Sequence, residues 1–167
     1  GGEEQVTGFY LPGEIVGLDA INNRQHASSA VALETTAVCT IPFGDLEQLS
    51  MEIPGLQHHL FKLMSQEIQS DQQLMVLLSK RTAEERIASL LLSLSARHKR
   101  RRLSDANFRL PMSRSDIGNY LGLAVETVSR IFTRFQQMGV LGVVGKEITI
   151  LNRPQLCLLA EPTSELN

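Results

Sequence analysis

The sequence predicts an α+β protein, and three observations carry that prediction. The first 50 residues have strand composition, with "EEQVTGFYL" and "AVALETTAVCTIPF" separated by the turn-forming "LPGEIVG". From Pro54 to Ser79 runs a long helical pattern, free of glycine and proline beyond its first turn. Over residues 113–150, small, turn and apolar residues fall at the offsets of a helix-turn-helix, followed by a short hairpin. These signals divide the chain into a β-rich part at 1–50, a helix at 51–80, a helix-turn-helix unit at 81–160 and a tail at 161–167.

With 167 residues and 43% hydrophobic content, the chain suits one or two small domains with packed cores. No run of about 18 apolar residues is present, which argues against a membrane helix. The opening "GGEEQVTGFYLPGE" is acidic and turn-rich and has no signal-peptide pattern. It reads as the middle of a β-structure, so the natural N-terminus is expected further upstream. Two cysteines, Cys39 and Cys157, make neither a disulfide framework nor a complete metal site, and a reducing cytoplasm is the default setting. Composition alone reads each as a buried cysteine.

Charge is distributed unevenly. Residues 1–79 hold 2 Lys/Arg against 10 Asp/Glu, a net of −8. Residues 80–150 hold 13 against 6, a net of +7, and residues 151–167 hold 1 against 2. Only the second half is therefore suited to meet a polyanion.

The long helical pattern carries two apolar stripes. Leu56, Leu60, Leu63, Leu74 and Leu77 form one. Phe61, Met64, Ile68, Asp71, Met75 and Leu78 form the other, at the alternating three- and four-residue spacing of a coiled-coil seam. Two apolar faces fit a helix that packs on its own domain with one and on a partner copy with the other. Complete burial within one domain is the alternative. Asp71 interrupts the seam: across a two-fold axis it would face its own copy and oppose association. Otherwise it tilts outward or pairs with a cation.

A second helix opens at "RTAEERIASLLLSLSARH", where Thr82 and Glu85 form a capping box and Ile87, Leu90, Leu91 and Leu94 supply the buried face. "RHKRRRLSDANFR" then reads as a cationic loop, suited to solvent, to phosphate or to a protein partner.

In "SRSDIGNYLGLAVETVSRIFTRF", Ser113 or Ser115 caps the first helix, and Ile117, Tyr120 and Leu121 point inward. Gly118 leaves room for a crossing helix, Gly122 suits a turn with positive φ, and Leu123 plugs the corner. Val125, Val128, Ile131, Phe132 and Phe135 bury the second helix. Gly139 ends it, and Leu141–Val144 and Glu147–Ile150 flank Gly145-Lys146 as a hairpin, completing a winged helix. The exposed stripe of Glu126, Ser129, Arg130 and Thr133 then acquires a chemistry. Arg130 can donate two bonds to guanine, Glu126 can accept from cytosine N4, and Ser129 can meet a base edge or a thymine methyl. Arg114, Thr127, Thr133, Arg134 and Lys146 suit backbone phosphates, which position without specifying. An ordinary surface Glu126–Arg130 pair is the bland alternative.

The stretches "GFYLPGEIVGLDAI", "LETTAVCTIPF", "LMSQEIQSDQQLMVLLSK", "AEER" and "RSDIGNYLGLAVETVSRIFTRFQ" resemble the CRP/FNR superfamily of bacterial transcription regulators, and within it the oxygen-responsive FNR/Anr branch. The likeness extends to about Ala160. It implies a cyclic-nucleotide-binding-like β-roll sensor whose C-terminal part is present here, a long dimerisation helix, and a winged helix whose dimers bind inverted repeats of double-stranded DNA. It further implies a TTGAT-like half-site read by Glu126, Ser129 and Arg130, RNA polymerase as a partner, and a switch to anaerobic metabolism. The branch holds a [4Fe–4S] cluster on four cysteines. Cys39 matches the one in the β-roll, and the other three would lie upstream, so no cluster is expected on this chain alone. The implied control is that the cluster strengthens the dimer against the Asp71 repulsion and that oxygen, by destroying it, releases DNA.

Two positions depart from the relatives. Ala27-Ser28 stands where nucleotide-binding members carry Arg-Ser, which leaves a cyclic phosphate without its counter-charge and argues against cAMP. Ala124 stands at the N-cap of the recognition helix, where threonine is usual, a loss of about 1 kcal/mol. Control by another small-molecule effector is the alternative within the family. An enzyme is not expected: His26, His58, His59 and His98 have neither metal spacing nor a nucleophile beside them.

Overall fold

A computed structural model describes residues 4–161, so of the expected tail only Glu161 lies among the described residues. Strands are present, as an α+β protein requires, but the three among the described residues lie in the second half of the chain. The described residues divide into two units, Tyr10–Met75 and a second made of residues 4–9 with Val76 onward.

The strand-like composition of residues 4–42 produces no strand; the elements before α2 are a 3-10 turn at Leu18–Ile21 and helix α1 at Phe43–Glu52. This corrects the β-rich expectation for residues 1–50 over its described part, residues 4–50. A strand needs a hydrogen-bonded neighbour, and β-propensity reflects packing on a sheet more than a backbone preference. Here the two stretches do not pair with each other, and Val31 and Val38 are 74% and 82% exposed. Local structure is held by turns: Gly13 has φ 77°, and the Glu14 carboxylate accepts from the Leu11 amide at 3.0 Å.

Ile53 is extended before Pro54, as the residue preceding a proline tends to be, so α1 ends there and α2 starts afresh at Pro54–Lys80. At 27 residues α2 is about 40 Å long, yet none of its residues is buried. Phe61, Ile68 and Met75 of the seam are 59%, 59% and 65% exposed. On the same helix the Glu67 carboxylate accepts from the Tyr10 hydroxyl at 2.9 Å. Burial, then that bond and the nearby carboxylates, push the Tyr10 phenol up to about 12.

The second unit is built on α3, Ala83–Arg100. Thr82 Oγ1 accepts from the Glu85 amide and the Glu85 carboxylate from the Thr82 amide, the capping box the sequence predicts. Ile87, Leu90, Leu91 and Leu94 are buried, packed with α6 (Arg153–Ala160) through Leu156 and Ala160. The cationic stretch is only partly a loop. Helix α3 continues through Arg100, and Asn107–Arg109 forms strand β1. Helices α4 (Arg114–Leu121) and α5 (Val125–Gln137) come next, then β2 (Leu141–Val144) and β3 (Glu147–Ile150). The antiparallel sheet has the order β1-β3-β2, with Ile148 paired to Phe108 on one side and Val143 on the other.

Three local expectations need correction. Val125 is 40% exposed, because the first turn of α5 projects beyond the core. Tyr120 is only half-buried, its ring edge-on to Phe9 with centroids 5.0 Å apart. Cys157 lies on α6 and is exposed, not buried, since α6 turns Leu156 and Ala160 inward and Cys157 lies about 100° round the helix from Leu156.

Candidate nucleic-acid interface

The α4–α5 corner is fixed by its smallest residues. Ser113 caps α4 in a box with Asp116, accepting from the Asp116 amide at 3.0 Å. A Cβ on Gly118 would lie 2.5 Å from the Leu123 carbonyl oxygen, so only glycine lets the chain cross there. Gly122 closes the helix at φ 65°, a left-handed conformation in which a side chain would be strained. Leu123 is half-buried in the corner, and Ala124 opens α5 with no side-chain cap, as its identity requires.

Val128, Ile131, Phe132 and Phe135 are buried, so the opposite face of α5 must point outward. Glu126, Ser129 and Arg130 are all exposed on it. The ion pair that would make Glu126 and Arg130 ordinary helix surface does not form. Arg130 donates to the Thr127 hydroxyl instead, at 3.3 Å. The Thr133 hydroxyl is turned back on its own helix, donating to the Ser129 carbonyl at 3.0 Å.

The expected phosphate contacts differ in how free they are. Arg114 lies over the Phe132 ring, 3.6 Å from guanidinium carbon to ring centroid, and its half-buried position lowers its pKa by desolvation. The cation is therefore partly dehydrated where it lies against the ring. Lys146, at the hairpin turn, donates to the Pro111 carbonyl at 3.3 Å. Arg114 and Lys146 line one cleft of about 240 Å³ between the wing and the start of α4. Arg134, by contrast, is bound to Glu84 of α3 and must release it to meet a phosphate.

The remaining sequence-derived residues lie elsewhere. Phe61, Ile68, Asp71 and Met75 are exposed on α2, with Met64 and Leu78 half-buried. Cys39 is exposed on the segment before α1, in no strand, which corrects its reading from composition as a buried cysteine. Among the described residues no three His, Cys, Asp or Glu side chains gather as a metal site, and the chain has two cysteines. These residues do not fit a four-thiolate cluster; Cys39 can offer one thiolate. Among the described residues, no helix is long and apolar enough to cross a membrane.

One residue escaped the sequence reading altogether. Arg86 donates to three backbone carbonyls, and its only signal was a place in "AEER".

A capped helix, a glycine-cornered turn, a second helix with an exposed polar face and a hairpin wing define a winged helix-turn-helix of the DNA-binding type. Residues 85–159 match the Crp-like helix-turn-helix domain family. The chain is 59% identical over 160 residues to the transcriptional activator protein FnrA of Stutzerimonas stutzeri, covering 96% of this chain and 66% of that protein. It is 58% identical to the transcriptional activator protein Anr of Pseudomonas aeruginosa, covering 95% of this chain and 65% of the relative. With the fumarate and nitrate reduction regulatory protein of Yersinia pestis it shares 54% identity, over 95% and 64% of the two chains. Among solved structures, FixK2 from Bradyrhizobium japonicum is similar at a TM-score of 0.61 and 36% identity, over 70% of this chain and 57% of that one. A CooA mutant from Carboxydothermus hydrogenoformans, at 0.57 and 17% over 71% and 55%, shares the fold.

The chain belongs to the CRP/FNR superfamily of transcription regulators, and its high-identity relatives are of the FNR/Anr type. It spans about two thirds of the length of those curated relatives.

Proposed function

We propose that this chain is the dimerising and DNA-reading portion of an FNR/Anr-type transcription activator, with Glu126, Ser129 and Arg130 contacting base edges of a TTGAT-like half-site. The observation that carries this reading is the face of α5. Three side chains able to read bases stand exposed and unpaired with each other, on a helix whose other face is locked into the core. Arg114 and Lys146 hold one backbone phosphate from the cleft beside the wing, Thr127 and Thr133 flank the reading face, and Arg134 joins when Glu84 releases it. Such contacts supply affinity and register, while base contacts supply discrimination.

Two copies present two such faces to an inverted repeat, joined along the exposed α2 seam. That no residue of this 27-residue helix is fully buried within its own chain supports a partner of this kind. Asp71 in the seam weakens the pair, and Asp71→Ala raises the dimer fraction in sedimentation; an unchanged monomer fraction rejects that role.

In the full-length regulator, acting in the cytoplasm with RNA polymerase, oxygen control through a [4Fe–4S] cluster takes Cys39 as one ligand and three others from outside this chain. With Ala27-Ser28 lacking a guanidinium, cAMP is not the effector. Gel-shift titration of the full-length protein under anaerobic conditions, with a TTGAT inverted repeat and a scrambled control, tests the reading. Tight binding to the repeat alone is expected, and equal affinity for both sinks it.

A further inference from the structure

Arg86, in the first turn of α3, spreads its guanidinium over three separate backbone carbonyls. Nη2 donates to Leu78 at 2.9 Å, Nε to Arg81 at 3.0 Å, and Nη1 to Leu121 at 2.8 Å. Leu78 lies in the last turn of α2, and Leu121 is the last residue of α4. Carbonyls at a helix C-terminus lack intrahelical partners and carry the negative end of the helix dipole. One cation therefore caps two helices at once. The planar guanidinium directs its donors at fixed, divergent angles, whereas a lysine ammonium is a compact point charge that cannot span three such acceptors.

The Leu121 carbonyl stands at the entrance to the turn between α4 and α5. Gly122 turns the chain at φ 65°, Leu123 crosses against Gly118, and Ala124 opens α5. Helices α3, α4 and α6 each have a side-chain N-cap, from Thr82, Ser113 and Asn152, but α5 has none. Among these four helices of the second unit, the one with the exposed reading face is thus the one without a side-chain cap. Its launching turn is held from outside instead, by the Gly118 crossing on one side and Arg86 on the other.

We propose that Arg86 is a positioning residue for DNA recognition, tying the C-terminal turn of α2 to the turn that launches α5, so that order in the reading helix depends on order in α2. It touches no base. The inference rests on the DNA-reading role proposed for α5, and it adds a route by which the state of the seam-bearing helix reaches the reading face without a change in α5 itself.

Arg86→Lys keeps the charge and tests the geometry. In the full-length protein its affinity for a TTGAT inverted repeat falls about 10-fold, the scale of a lost charge-assisted bond, while affinity for scrambled DNA stays within about twofold. Amide hydrogen exchange at residues 128–131 accelerates, while exchange in α3 and α6 keeps the parent rate. Adding Ala124→Ser to Arg86→Lys restores most of the lost affinity, because a local cap replaces the tether. Parent-like affinity and exchange in Arg86→Lys overturn the proposal. So does uniform acceleration across the unit with no rescue by Ala124→Ser, which marks Arg86 as fold support only. If the parent protein does not distinguish the repeat from scrambled DNA, the DNA reading itself fails; the exchange pattern then decides the tether alone, acceleration confined to α5 upholding it and any other pattern overturning it.

Discussion

Ala124→Ser should stabilise the second unit by about 1 kcal/mol. Ala124 already has the extended backbone of an N-cap, φ −65° and ψ 145°, so no rearrangement is needed to accept the new side chain. Its position is exposed, so an added hydroxyl meets open space. The three capped helices show the bond it would make. Thr82, Ser113 and Asn152 accept from the amide three residues on at 3.4, 3.0 and 3.0 Å, and the equivalent donor in α5 is the Thr127 amide. In a unit of this size, a gain of about 1 kcal/mol raises the melting midpoint by about 4–8 °C. Thermal unfolding followed by circular dichroism measures it. Ala124→Asp supplies a similar acceptor and gains further from the helix dipole, yet places a carboxylate where, on the proposed DNA-reading role, a backbone phosphate would approach. It should therefore stabilise the free protein and weaken its DNA binding, separating the two effects. A midpoint unchanged by serine would refute the reasoning, since the start of α5 would then not be limited by its missing cap.

Arg130→Ala should cost about 1–3 kcal/mol of discrimination at one base pair and leave scrambled DNA nearly unaffected; equal loss on both sequences would reduce Arg130 to a phosphate contact. Gly118→Ala drives a methyl to within 2.5 Å of the Leu123 carbonyl oxygen, and denaturant unfolding should show a loss of roughly 1–3 kcal/mol. A parent-like midpoint there would mean the corner opens freely. Burial and the Glu67 bond raise the Tyr10 phenol to about 12, above the ordinary value of 10.0. The bond's contribution to stability is therefore whole below about pH 10 and is lost as pH rises toward 12. Phenolate absorbance should show a late-titrating tyrosine, and an earlier one in Glu67→Gln; no late titration in the parent protein would contradict the contact.

The helix-turn-helix was legible because its determinants are local. Gly118, Gly122 and the Val128–Phe135 spacing are single-residue constraints on backbone angle, close approach or helical face, and each acts within a few positions of itself. The hairpin around Gly145 was equally plain. Strand β1 was missed because Phe108 becomes a strand residue only by pairing with Ile148, 40 positions away. Helix α6 lay unseen in a short stretch whose apolar residues acquire a face only against α3. The opposite error occurred in residues 4–42, where strand composition had no ladder to join.

The sequence by itself determined which residues could cap, turn, bury and read, since those properties belong to side-chain chemistry at short spacing. It determined the missing cap at Ala124, the two stripes of α2 and the polar face of α5. Tertiary structure decided which of the charges are free. Arg134 is engaged by Glu84, Arg130 is turned to Thr127 and away from Glu126, and Arg114 is laid over Phe132. It also drew Arg86, an inconspicuous member of a charged run, across the ends of two helices. Such assignments depend on distances between elements far apart in the chain, and electrostatic and hydrogen-bonding partners are chosen by those distances, not by composition.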